Sequence, residues 1–274
     1  MTACTLLRPG GVSIVVSDVG GDGPVVVLLH GLAGSSRELL PTASALRGYR
    51  VLLVDQRGHG LSTRLPDDLS RDAFVSDLVA ALEELVPGQR ATLVGQSMGA
   101  HTAFLAAVAR PDLVDGLVML EGHVAGNDDP EAAAGLGRYF ASWPQPFESE
   151  ASAREFLGDG ATVDAWMADL QATERGLVPR FDPAVMQRTI EAVHVPRWDE
   201  WEALQVPTLA IFGKRGMFSD ADKDELIRRR PETSRVDLAG GSHDAHLDAF
   251  DEWIAVLRSW LSRSQASTSH ASAH

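Results

Sequence analysis

The stretch with the clearest chemical capacity is Gly95-Gln96-Ser97-Met98-Gly99, entered by the apolar run Ala91-Thr-Leu-Val and left by the small-residue segment Ala100-His-Thr-Ala-Phe-Leu-Ala-Ala-Val108. This reads as strand, sharp turn and helix, with Ser97 at the apex. Large side chains beside the serine would collide in so tight a bend, which accounts for Gly95, Gly99 and Ala100. The hydroxyl is thereby held out of the fold. A serine hydroxyl is a weak nucleophile at neutral pH and needs a base to accept its proton. His243 follows a strand-like run and the Gly240-Gly241 turn, and its imidazole titrates in the range that such a base requires. His246, three residues on, competes for the role. Asp244 and His246 lack companions that would complete a metal site, and neither a metal nor another cofactor is expected.

These residues need rigid elements to position them, and the chain supplies them in alternation. The run from Gly11 to Val19 alternates as an edge strand does, and Gly20-Gly21-Asp22-Gly23-Pro24 then reads as a hairpin-type turn. The runs Pro24–Leu29, Tyr49–Asp55, Ala91–Gly95 and Val114–Leu120 are continuously apolar, as strands buried on both faces of a parallel sheet are. Between them, Asp72 to Val86 carries Phe74, Val75, Leu78, Leu82 and Leu85 at helical spacing. Buried strands alternating with amphipathic helices predict an α/β fold with a mainly parallel sheet.

From 126 to 205 this pattern gives way to short helical segments punctuated by Pro144, Pro146 and Pro179, which predicts an inserted helical cap. Strands resume at Thr208–Gly213 and Ser234–Ala239, and an amphipathic helix closes the chain to Leu261. The domain reading is therefore a core over 1–125 and 206–261, a cap over 126–205 and a disordered tail over 262–274. Tyr139, Phe140, Trp143, Phe147, Phe156, Trp166, Phe181, Trp198 and Trp201 give the cap a large share of the aromatic residues. Trp143, Phe147, Trp166 and Trp198 are expected to line an apolar substrate pocket.

Composition narrows the class. The 38 acidic and 24 basic side chains leave a net charge of -14, which opposes binding to nucleic acid or an anionic membrane. Cys4 is the only cysteine, so an intrachain disulfide is impossible and the cytoplasm is the expected compartment. The expected partners are a hydrophobic small molecule and, at most, a second copy of the chain in a homodimer.

In order along the chain, His30-Gly31, Asp55-Gln-Arg-Gly-His-Gly60, Gly95-x-Ser97-x-Gly99 and Gly241-Ser-His243 make the sequence resemble the α/β-hydrolase family to about Leu261. The resemblance implies an eight-stranded type of sheet with the cap over the C-terminal strand edges. It also implies His243 as the base, and an oxyanion hole formed by the backbone N–H groups of Met98 and Leu32. One departure stands out. Where the family commonly has Gly-x-x-Asp after the penultimate strand, this chain has Gly213-Lys-Arg-Gly216. The acid that orients the imidazole must then be shifted, as at Asp220 or Asp222, be placed on another strand, or be missing. Some family members, including certain haloalkane dehalogenases and a fungal lactone hydrolase, supply it after the strand that follows the nucleophile helix, and Glu121 stands there. A carboxylate at the tip of Leu117-Val-Met-Leu120 is costly to bury alone, and a histidine partner removes that cost. The expected triad is Ser97, His243 and Glu121, with Asp220 as the alternative acid.

A serine at the elbow suits acyl transfer rather than displacement at saturated carbon. Cleavage of an ester or lactone is the expected reaction. A carbon–carbon bond hydrolase, a perhydrolase, a lyase and a receptor-like member would share the same residues.

Overall fold

A computed structural model of the chain describes residues 1–271. The main domain opens with β1 (Thr2–Arg8), β2 (Val12–Gly20), β3 (Val25–Leu29), α1 (Leu40–Ala45), β4 (Arg50–Asp55) and α2 (Arg71–Leu85). It continues through β5 (Ala91–Gln96), α3 (Met98–Ala109) and β6 (Val114–Leu120). The intervening segment holds α4 (Pro130–Ala141), α5 (Glu150–Leu157), α6 (Ala161–Asp169), β7 (Gln171–Thr173), β8 (Gly176–Val178), α7 (Pro183–Val193) and α8 (Trp198–Ala203). The main domain then closes with β9 (Thr208–Arg215), α9 (Asp220–Arg229), β10 (Ser234–Ser242), α10 (Ala245–Asp248) and α11 (Phe250–Ala271).

Eight strands form one sheet in the order β1-β2-β4-β3-β5-β6-β9-β10. Pairing is antiparallel between β1 and β2 and between β2 and β4, and parallel from β4 onward. The sheet thus has eight strands and is mainly parallel, as expected, with two local differences. β2 is not at the edge, because β1 covers it. The Gly20–Pro24 turn also does not close a hairpin: β4 lies between β2 and β3, pairing with both.

The continuous apolar runs serve two cores at once. On β3, Val25, Val27 and Leu29 pack with Leu78, Leu82 and Phe104 from α2 and α3, while Val26 and Leu28 pack with Trp253, Leu257 and Trp260 from α11 on the opposite face. Alternate side chains of a strand point to opposite faces, so a strand covered on both sides must be apolar at every position. Each such Val, Leu or Phe contributes about 1.5–3 kcal/mol on burial.

A third cluster, including Phe140, Trp143, Phe147, Phe181 and Met186, joins the cap to Ala33, Phe74 and Met98 below it. The segment expected to form a helical cap is not wholly helical, since β7 and β8 form a short hairpin. Its far boundary also lies earlier than 205. Trp201 and Leu204, on and after α8, belong to the main-domain core with Phe104, and the Trp201 indole N–H donates to the Leu226 carbonyl at 2.9 Å. At the C-terminus α11 runs past Leu261 to Ala271, and the remainder of the expected disordered tail, 272–274, lies outside the described residues.

Candidate active site

Ser97 sits between β5 and α3 with φ 50° and ψ −117°, a backbone conformation that non-glycine residues rarely adopt. Two anchors hold it there: its N–H donates to Leu120 O at 2.9 Å, and its carbonyl accepts from His101 N at 3.1 Å. The bend brings backbones into contact. A Cβ on Gly95 would lie 2.3 Å from the Gly99 carbonyl carbon, and one on Gly99 would lie 2.4 Å from Leu29 O. Both positions therefore admit only glycine.

Glu121 follows β6 directly and shares the strained backbone, with φ 48°. Its carboxylate is buried at 1% exposure, yet both oxygens are met. Oε1 accepts from Gly213 N at 2.7 Å, and Oε2 accepts from Met217 N at 2.9 Å. Oε2 also faces His243 Nδ1 at 3.3 Å. The carboxylate thus reaches from β6 across β9 into the loop where the family's aspartate commonly stands. With Nδ1 turned to the carboxylate, Nε2 is the ring nitrogen left for Ser97, and Ser97 and His243 line the same two cavities.

Asp220 and His246 are placed elsewhere. The Asp220 side chain is 88% exposed and faces Lys223 and Arg235, each at 3.8 Å. Asp222 caps α9 through Ser219. His246 is buried, with Nε2 3.5 Å from Glu38 Oε1.

The loop carrying His243 is tied on both sides. Gln96, the residue before the nucleophile, donates Nε2–H to His243 O at 3.0 Å and to Asp244 Oδ1 at 3.2 Å. From the cap, the Thr162 hydroxyl donates to Asp244 Oδ2 at 2.7 Å. One carboxylate thereby links the nucleophile strand, the histidine loop and α6.

Met98 is the first residue of α3, so its N–H has no intrahelical acceptor and lies at the positive end of the helix dipole. Leu32 lies in the loop after β3, which a Gly34 N–H bond to Gly31 O at 3.2 Å tightens. His30 fixes the base of that loop: its Nδ1 lies 2.7 Å from Gly31 O, and its Nε2 accepts from Gln56 N at 3.0 Å. Asp55 ties the neighbouring loops together, accepting from Ser36 N at 2.7 Å and Leu61 N at 2.9 Å.

Two cavities meet at Ser97. The larger, about 250 Å³, lies under the cap among Leu136, Tyr139, Phe140, Trp166 and Ile190. The smaller, about 120 Å³, runs along α3 past His101 to His123, Asn127 and His194. Trp166 therefore faces the site, whereas three expected pocket residues do not. Trp143 and Phe147 are 3% and 1% exposed inside the cap cluster, where aromatic neighbours enclose them. Trp198 lies under the Arg229 guanidinium, 4.4 Å from its ring centre, and packs edge-on to His123. α8 belongs to the main domain, and this draws Trp198 away from the cap. His101 is a site residue that the sequence reading misses. Its signal is nonetheless present in the chain: it lies four residues after Ser97, one helical turn away on the same face.

Among the described residues no group of three metal-ligating side chains converges, and no helix is long and apolar enough to cross a membrane.

The chain is similar to several known hydrolases. Esterase YbfF of Escherichia coli is 27% identical over 86% of this chain and 92% of its own length. The 2-(acetamidomethylene)succinate hydrolase of Mesorhizobium japonicum is 26% identical over 81% of this chain and 82% of its own. The mouse sn-1-specific diacylglycerol lipase ABHD11 is 42% identical, but over only 42% of this chain and 38% of that protein. Among solved structures, an E-2-(acetamidomethylene)succinate hydrolase superposes with a TM-score of 0.85 at 23% identity, covering 95% of this chain and 99% of the other. The family model described as alpha/beta hydrolase fold matches residues 24–250, spanning the elbow, the loops around it and the histidine. With that match and the eight-stranded sheet in hand, the chain belongs to the α/β-hydrolase family.

Proposed function

We propose that the protein is a serine hydrolase that cleaves a carboxylic ester or lactone of a small molecule with an apolar arm, through an acyl-enzyme on Ser97. The observation that carries this reading is the pairing of His243 Nδ1 with the buried Glu121 carboxylate beside the serine elbow. In the first half of the reaction His243 Nε2 takes the proton of Ser97 Oγ as the oxygen attacks the carbonyl carbon. The resulting oxyanion meets the N–H groups of Met98 and Leu32. His243 then returns the proton to the departing alkoxide. Water repeats the sequence on the acyl-enzyme, leaving the acid and the free serine. Glu121 holds the imidazole throughout and stabilises its charged form.

The names borne by relatives support hydrolysis, and several, such as esterase YbfF and esterase Rv0045c of Mycobacterium tuberculosis, support an ester as the bond. The aromatic lining under the cap supports an apolar arm. The decisive experiment labels the protein with a serine-directed fluorophosphonate and follows turnover of an ester, lactone and thioester panel. Labelling that Ser97→Ala abolishes, with steady turnover of esters or lactones, is the expected result. Labelling without any turnover would instead favour a ligand-binding role.

A further inference from the structure

The smaller cavity holds an electrostatic arrangement that the reaction above does not use. His101 lines it beside Ser97 and is 1% exposed. Among the described residues, neither of its ring nitrogens has a hydrogen-bond partner. Arg71, the first residue of α2, is 3% exposed; it donates Nη2–H to the Thr102 hydroxyl and lies over the Phe74 ring, 4.4 Å from its centre, while its Nε and Nη1 have no hydrogen-bond partner among the described residues. Arg197 donates from Nη1 to Glu200 at 2.8 Å, but its buried Nε is likewise unmet.

Elsewhere the chain treats a buried guanidinium differently. Arg57 meets Asp77 through two bonds of 2.7 and 2.8 Å. No carboxylate is paired with Arg71 among the described residues. Burial and then the Arg197 charge lower the Arg71 guanidinium to about 9, so it remains cationic at neutral pH. Burial, followed by the charges of Arg71 and Arg197, holds the His101 imidazole well below its usual range. An unmet imidazole in the cavity wall is thus acted on by two cations behind that wall, one of them without a carboxylate partner among the described residues, in a chain whose net charge is -14. An arrangement of this kind is costly unless an anion completes it.

We propose that the smaller cavity is a subsite for a carboxylate carried by the acyl arm of the substrate. His101 touches the carboxylate; Arg71 and Arg197, which do not line the cavity, act on it through their field and through His101. His123 forms wall only, because its Nδ1 accepts from Ala125 N and its Nε2 bonds Asp222 O. With a volume of about 120 Å³ the subsite takes a short carboxylate arm, while the apolar alcohol lies under the cap. The substrate class is then a half-ester of a short dicarboxylic acid. This assignment rests on Ser97 as the nucleophile.

The test compares monobenzyl glutarate with benzyl pentanoate, which replaces the carboxylate by a methyl group. The wild type should favour the glutarate in kcat/KM by about 10- to 100-fold, the range for hydrogen bonds to a charged group. His101→Leu and Arg71→Met should each bring that ratio toward one, which a merely structural role for either residue would not do. Free glutarate should also bind the wild type by calorimetry. A wild-type ratio near one with no glutarate binding overturns the subsite and leaves the hydrolase reading intact, and so does a ratio that survives both substitutions. If Ser97 is not labelled by a fluorophosphonate and neither ester turns over, the hydrolase reading fails. Glutarate binding to the wild type, weakened by His101→Leu, then decides the subsite alone, and should Arg71→Met fail to fold the His101 variant carries the same test.

Discussion

Gly216 and Glu121 are fitted to one another: a Cβ on Gly216 would stand 2.0 Å from Oε1 of Glu121. Gly216 occupies the position where the family commonly has its aspartate, so the absent side chain and the displaced acid are one feature. Two carboxylates could not share that space, and a side chain as small as alanine would push Glu121 off the Gly213 and Met217 amides.

Replacing Glu121 by Gln should therefore lower kcat by about 10⁴, since the imidazole loses its orienting charge. Asp220→Asn should leave kcat within twofold, because Asp220 lies at the surface. Gly216→Asp introduced together with Glu121→Ala should recover part of the loss, by returning the acid to the loop. Steady-state kinetics on one ester checks all three. Full activity in Glu121→Gln with loss in Asp220→Asn would reverse the assignment.

The histidine loop offers a second test. Gln96→Leu removes both donors that hold His243 O and Asp244, and kcat should fall at least about tenfold, as one charge-assisted bond alone contributes about 1.5–3 kcal/mol. Thr162→Val breaks only the link from α6 to Asp244, so KM should rise more than kcat falls. The ratio of the two effects, measured on a single substrate, separates loop positioning from cap anchoring.

Asp77 is central to stability rather than chemistry. It accepts two bonds from buried Arg57 and a third from Arg8 at 3.3 Å, joining β1, α2 and the loop after β4. Asp77→Ala strands a buried guanidinium and should cost about 3–5 kcal/mol in urea unfolding. Turnover per folded molecule should be unchanged.

Much of this site can be read in the chain because its signals are local. The elbow needs Gly95, Ser97 and Gly99 in immediate sequence, and the missing aspartate at 216 points to an acid elsewhere. Burial of aromatic rings carries no such local signal. Trp143 and Trp166 have the same side chain and lie in the same cap, yet one is enclosed by Phe140, Phe147 and Phe181 while the other faces the cavity. Only packing between distant elements decides which. The β7–β8 hairpin escapes for a related reason: three-residue strands are too short to show alternation. β1 is equally hard to read, because Leu6 is its one buried residue.

Acid sensitivity should track His59. Burial, and after it the neighbouring His30, lowers its imidazole from 6.5 to about 3. Its folded value is depressed, so the stability it contributes is full above pH 6.5 and is lost as pH falls toward 3. Near pH 5 the slope is about 1.4 kcal/mol per pH unit, and His101 adds in the same direction. Asp169, raised by burial to about 6, has the opposite sign: its contribution is lost as pH rises through that value. Urea unfolding at pH 6.5 and pH 5 should show His59→Gln flattening the dependence by about that slope. An unchanged slope would mean that His59 does not stay neutral in the fold.

Trp166 and Trp198 should separate substrate choice from stability. Trp166 lines the larger cavity and packs against Trp143 with ring centres 5.1 Å apart. Trp166→Ala opens space beside Ser97, and the preferred alcohol chain should lengthen, each methylene accommodated shifting kcat/KM by about 10-fold or more. Trp198 lines neither of the two cavities at Ser97; it supports Arg229 and His123. Trp198→Ala should cost on the order of 1–3 kcal/mol of stability and leave the chain-length profile where it was. The profile of esters of one short acid with alcohols from short to long, read beside thermal unfolding of each variant, distinguishes the two roles. A shifted profile in Trp198→Ala would restore that ring to the pocket.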